Sequence, residues 1–144
     1  MKNYLRISVF LMIAIHFSCG KKVDCNLDLE YRENLTYYRG KLFTGTCQSF
    51  YDNGKMMNSQ NYLKGMDHGE WIFYYDNGAV ETIANFKENK RSGKWKYFYD
   101  DGENIRQISY YKKGLRDSIW TKYRLTGEVE WTQIYNNGDL LDSN

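Results

Sequence analysis

The sequence predicts an all-β fold, an elongated single antiparallel β-meander of repeated hairpins. Three observations carry that expectation. Aromatic residues make up 17% of the 144-residue chain, with 14 Tyr, 7 Phe and 4 Trp beside 12 Gly and no Pro, and aromatic side chains favour strands. One phrase recurs four times, each copy ending on glycine: "CQSFYDNG" (47–54), "WIFYYDNG" (71–78), "WKYFYDDG" (95–102) and "WTKYRLTG" (120–127). No segment keeps a helical apolar period over about eleven residues.

The chain opens with an address rather than with fold. Lys2 and Arg6 precede an apolar run from Ile7 to Phe17. That run is too short for a membrane span, which needs about 20 residues. A basic start, a short apolar run and a small residue before a cut describe a secretory signal. Here Ser18 precedes Cys19, and "HFSC" resembles the end of a bacterial lipoprotein signal. The resemblance implies cleavage before Cys19, diacylglycerol on its sulfur, and a lipid-anchored, extracytoplasmic protein of the bacterial envelope, periplasmic or outer-membrane. His16 and Phe17 depart from the usual pattern. The alternative is an ordinary signal peptide with an incidental cysteine. The expected organisation is a signal peptide at 1–18, an N-terminal tether at 19–34, four hairpin repeats at 35–141 and a tail at 142–144.

With Cys19 taken by lipid, Cys25 and Cys47 remain as an even pair in an oxidising compartment, and a disulfide between them is expected. Cys47 also stands where later repeats carry Trp, so a small core residue is the other account of it. Two thiols with distant His16 and His68 do not make a metal site.

The repeats then follow in order. Gly45, Gly69, Gly93 and Ser118 are separated by 24, 24 and 25 residues. Cys47, Trp71, Trp95 and Trp120 come two residues after them, and Gly54, Gly78, Gly102 and Gly127 close each phrase. A second run follows each closing glycine and ends on Tyr62, Phe86, Tyr111 or Tyr135. Two strand-like runs around a glycine make a hairpin. "YDNG" suits a type I turn followed by a residue of positive φ, which glycine adopts without steric cost. The links "LKGMDHG" and "KENKRSG" are expected to be a second set of turns.

Strand alternation assigns faces. Trp71, Phe73 and Tyr75 share one face, as do Trp95, Tyr97 and Tyr99. In the fourth copy that set becomes Trp120, Lys122 and Arg124, so the Trp face turns basic at its far end.

The phrases "YYRGKLFTGTCQSFYDNGK" (37–55), "GEWIFYYDNG" (69–78) and "GKWKYFYDDG" (93–102) resemble the MORN repeat variant found in bacterial YwqK-like antitoxins. "SIWTKYRLTG" (118–127) departs at Ser118 and Arg124, as a worn terminal repeat would. The resemblance implies an elongated sheet of hairpins with a scaffolding or binding role.

Function is therefore expected to be binding without chemistry. No catalytic set, phosphate loop or cofactor motif stands out, so no enzyme activity and no cofactor is expected. The near-balanced charge, 20 Lys and Arg against 18 Asp and Glu, gives no field for nucleic acid. Asp52, Asp76 and Asp100 recur too sparsely for calcium and are read as turn residues. Trp71, Phe73, Tyr75, Trp95, Tyr97, Tyr99 and Trp120 are the candidate partner-binding residues, since Trp and Tyr dominate interface hot spots. The competing account, which carries more weight, is that these rings pack on one another and stiffen a thin sheet. The partner is expected to be a protein, with the membrane engaged through Cys19. Capture of a cognate toxin and stacking on an envelope glycan are the alternatives.

Overall fold

The computed structural model describes residues 23–144. The expected signal peptide at 1–18 and the lipid-bearing Cys19 lie outside the described residues. Strands account for the architecture, and no helix occurs among the described residues. In chain order they are β1 (Val23–Asp24), β2 (Leu29–Arg32), β3 (Leu35–Tyr38), β4 (Lys41–Leu42), β5 (Gly45–Phe50), β6 (Met56–Leu63), β7 (Met66–Asp67) and β8 (Gly69–Tyr74). They continue with β9 (Val80–Lys87), β10 (Lys90–Arg91), β11 (Gly93–Phe98), β12 (Ile105–Lys112), β13 (Leu115–Arg116), β14 (Ser118–Tyr123), β15 (Val129–Asn136) and β16 (Asp139–Ser143).

The main sheet runs in the order β1-β5-β6-β8-β9-β11-β12-β14-β15-β16. From β5 onward each path strand is antiparallel to the one before it. Each repeat is a six-residue strand turning back into an eight-residue one. The closing glycines donate N–H to the carbonyl three residues back, at 2.9 Å from Gly54 to Tyr51 and from Gly78 to Tyr75. Their φ values of 80° and 89° lie in the left-handed region, which a β-carbon disfavours.

Two features at the N-terminal end go beyond a single antiparallel meander. β1 pairs with β5 in parallel, Val23 opposite Cys47, and β2, β3 and β4 form a separate three-stranded sheet. The stretch read as a tether thus contains β1 and β2. A disulfide joins Cys25 to Cys47 across 22 residues. A loop of that size raises stability by about 3 kcal/mol in the chain-entropy account.

The links also do more than turn. Lys64–Gly65, Glu88–Asn89 and Lys113–Gly114 all have positive φ at both positions, the signature of two-residue primed turns. They return the chain as β7, β10 and β13, which pair with the ends of β6, β9 and β12. Each of the first three repeats therefore ends in a second, miniature hairpin, and the fourth in the longer β15–β16 hairpin.

The core is a line of rings carried on one face of the sheet. Phe43, Tyr62, Trp71, Phe86, Trp95, Tyr111, Trp120 and Tyr135 follow one another with centroid separations of 4.7–5.6 Å. From Tyr62 to Tyr135 each successive path strand contributes one ring, because Trp from the six-residue strand alternates with the aromatic that ends the eight-residue strand. The indole N–H of each Trp in this line is satisfied: Trp71, Trp95 and Trp120 donate to the carbonyls of Asn61, Asn85 and Tyr110 at 2.8, 3.0 and 3.0 Å. The miniature hairpins of β10 and β13 lie over this line. The Arg91 guanidinium stands 5.2 Å from the rings of both Trp95 and Tyr111, and Arg116 stands 4.7 Å from Trp120 and 5.2 Å from Tyr135. Tilted ring pairs add about 0.5–1.5 kcal/mol each beyond burial, and each stacked cation about 0.5–1 kcal/mol.

Candidate functional site

The structure corrects part of the binding set. Trp71, Trp95 and Trp120 are 9%, 6% and 6% exposed. They lie beneath neighbouring rings and, in the last two cases, beneath an arginine, so they are core and not a contact surface. Phe73 and Tyr97 pack against the same core and remain partly accessible.

Tyr75 and Tyr99 have a structural duty. The hydroxyl of Tyr75 donates to the carbonyl of Phe98 at 2.8 Å, and that of Tyr99 to the carbonyl of Tyr123 at 2.7 Å. Tyr51 does the same toward Tyr74 at 2.6 Å. Each repeat thus bonds to the end of the next repeat's six-residue strand. The turn asparagines add a second tie: Asn53 and Asn77 donate from Nδ2 to the carbonyls of Asp76 and Asp100 at 2.9 and 2.7 Å. Asp76 and Asp100 are therefore turn residues whose carbonyls hold the preceding turn. Among the described residues no group of three or more His, Cys, Asp or Glu is gathered as a metal would need.

Accessible area on the Trp face lies beside the ring line. Phe73, Thr82, Tyr97, Gln107, Lys122 and Trp131 stand side by side on successive strands, each directly opposite the next, and all but the buried Thr82 remain partly exposed. Five inter-strand gaps make this row about 24 Å long. Its far half opens into a cleft of about 590 Å³ whose lining includes Tyr97, Tyr99, Arg106, Lys122, Arg124 and Glu130.

Each part of the cleft has a local cause. Tyr97 and Lys122 come from regular alternation on β11 and β14. Arg106 comes from a β-bulge: Tyr97 opposes Gln107 while Phe98 opposes Ile105, which leaves Arg106 as the extra residue. Bulges break alternation and re-aim a side chain. Arg106 accordingly joins Tyr97 and Tyr99 in the cleft, where strict alternation places it on the opposite face. Glu130 occupies the same bulge position on β15 and reaches Lys122, Oε2 to Nζ, at 2.9 Å.

Electrostatics follow from this arrangement. Burial raises the pKa of the Tyr97 phenol above its ordinary value, the neighbouring Tyr111 raises it further, and Arg91 and Arg106 act in the opposite direction. Tyr97 therefore presents a neutral phenol. Arg124 lies 4.0 Å from Glu128 with both side chains well exposed, a contact of little energy. Arg106 makes no ion pair among the described residues.

Sequence reasoning found Tyr97 and Tyr99 as binding candidates and noted Lys122 and Arg124 as the basic end of the face. It missed Arg106, Gln107, Leu125 and Glu130. The signal for Arg106 was present only as the surplus residue in the returning strand, which a strict period of two cannot register.

The repeat unit seen here is a six-residue strand, a glycine turn, a bulged eight-residue strand and a miniature hairpin, with Trp and a second aromatic in the core. Residues 43–64 and 67–88 match the MORN repeat variant. These segments are the first repeat and the greater part of the second. The third and fourth repeats keep the strand lengths, bulge and core positions of the second. No curated protein matches the chain.

Proposed function

We propose that this chain is a non-enzymatic binding module that presents the Phe73–Trp131 row and its cleft to a protein partner. In this proposal it is held at a bacterial envelope membrane by lipid on Cys19. MORN repeats often mediate protein or membrane binding. The observation that carries the reading is the cleft. It is a place on the Trp face where aromatic and cationic side chains remain partly accessible beside the structural rings. Tyr and Arg are the residue types most enriched at interface hot spots. The lipid tether rests on the signal-like start and on Ser18–Cys19.

The test is crosslinking of the full lipoprotein in its native membrane, followed by mass spectrometry. One protein recovered in near-stoichiometric amount supports the reading, and its identity separates a scaffold from a toxin-capturing antitoxin. Recovery of no protein removes the protein-binding role and directs attention to envelope glycan. Cys19→Ala should release the chain from the membrane fraction and change its mass; an unchanged distribution removes the lipid.

A further inference from the structure

Three cations meet in the cleft because the repeat pattern changes at three positions in one place. Lys122 stands where earlier repeats carry Phe73 and Tyr97. Arg124 stands where they carry Tyr75 and Tyr99. Arg106 stands at a bulge position held elsewhere by Met57, Glu81 and Glu130. A solvated end repeat accounts for the first two, since a terminal repeat lacks a neighbour to pack on. It does not account for Arg106, which belongs to the third repeat.

Nor do the cations neutralise one another's surroundings. Glu130 is spent on Lys122 at 2.9 Å. Arg106 and Arg124 are left without a close carboxylate, the nearest approach being the exposed 4.0 Å contact of Arg124 with Glu128. Two guanidinium groups therefore flank the rings of Tyr97 and Tyr99 and the exposed side chain of Leu125. A guanidinium fork matches a carboxylate through two parallel hydrogen bonds. From Tyr97 on β11 to Glu130 on β15 the cleft crosses three inter-strand gaps, about 14 Å, which about four extended residues span at ~3.3 Å each.

We infer that the cleft docks a short, extended, acidic segment of a protein partner. Carboxylates of that segment meet Arg106 and Arg124, and an apolar side chain between them lies on Tyr97, Tyr99 and Leu125. The inference rests on the binding role proposed above and specifies the partner's chemistry.

The test uses the full chain and two labelled pentapeptides, Glu-Asp-Leu-Asp-Glu and its uncharged counterpart Gln-Asn-Leu-Asn-Gln, with binding followed by fluorescence anisotropy. The acidic peptide should bind at least about tenfold tighter, a gap that narrows as salt shortens the screening length from about 10 Å to about 3 Å. The double variant Arg106→Gln, Arg124→Gln should lose about tenfold in affinity for the acidic peptide with an unchanged melting temperature. The variant Lys94→Gln, Lys96→Gln, which removes two cations from the opposite face, should bind as the parent does. Equal binding of the two peptides overturns the inference, and so does an equal loss in the two double variants. Salt-sensitive binding to phosphatidylglycerol vesicles with none to the acidic peptide overturns it too. A chain that captures a partner in its membrane yet ignores the acidic peptide loses this inference and keeps its binding role. The opposite pair of results supports the acidic ligand and removes the dedicated partner.

Discussion

The first and fourth repeats terminate the same sheet by different means. In the first, Cys47 replaces the core Trp, and its sulfur is bonded to Cys25 on the segment that follows β1. That bond holds a parallel strand along the outer edge of β5, an edge that otherwise invites another chain. In the fourth, the core Trp is kept and the periphery changes: Ser118 replaces a glycine, and Lys122 and Arg124 replace aromatics. The two interior repeats change neither. A repeat array is nearly one-dimensional, each unit resting on its neighbours. The comparison teaches that one end of the array is closed by a covalent bond to a short parallel strand, and the other by β16 together with side chains that tolerate water.

The largest effect that would sharpen this contrast comes from the interior. Trp95 packs on Phe86, Tyr97 and Tyr111, and Trp95→Ala should cost about 3–5 kcal/mol by urea denaturation. A cost below about 1 kcal/mol would show that the ring line is not the core. Next comes the staple. Cys25→Ser with Cys47→Ser should cost about 2–4 kcal/mol. Amide exchange should accelerate in β5 and β6 while β14 and β15 stay protected; uniform acceleration would break the one-dimensional picture. Third, Tyr75→Phe deletes the 2.8 Å bond to Phe98 and should cost about 1 kcal/mol, whereas Arg124→Tyr, whose hydroxyl meets no further six-residue strand among the described residues, should gain nothing. The smallest effect has the opposite sign. Ser118 is held at φ 58°, so Ser118→Gly should raise stability by about 0.5–1 kcal/mol, visible as a small rise in the urea midpoint.

Much of the fold was written in the chain. The 24-residue interval located the hairpins, the recurring glycines located the turns, and alternation put Trp71, Phe73 and Tyr75 on one face. Alternation alone did not say whether that face was covered. The cover comes from miniature hairpins with two-residue strands, too short to carry a period. Their primed turns, Lys64–Gly65 and Glu88–Asn89, read from sequence only as polar links. β1 was illegible for the same reason, since two residues in parallel register leave no pattern. The cleft was half legible. Lys122 and Arg124 stand out against the repeat, while Arg106 is turned toward them by a bulge, and a bulge is a departure from the rule by which faces are assigned.

The tyrosine bonds between repeats carry a direction. Tyr51, Tyr75 and Tyr99 each reach forward to a carbonyl of the following unit, and Arg124 has given that reach up. A duplicated 24-residue module spliced in after the second repeat would offer a carbonyl to the tyrosine before it and find one for its own. The same module appended after the fourth would follow an arginine with no hydroxyl to join it. Lineages of such proteins should therefore lengthen from within, keeping their two specialised ends while the number of interior units drifts.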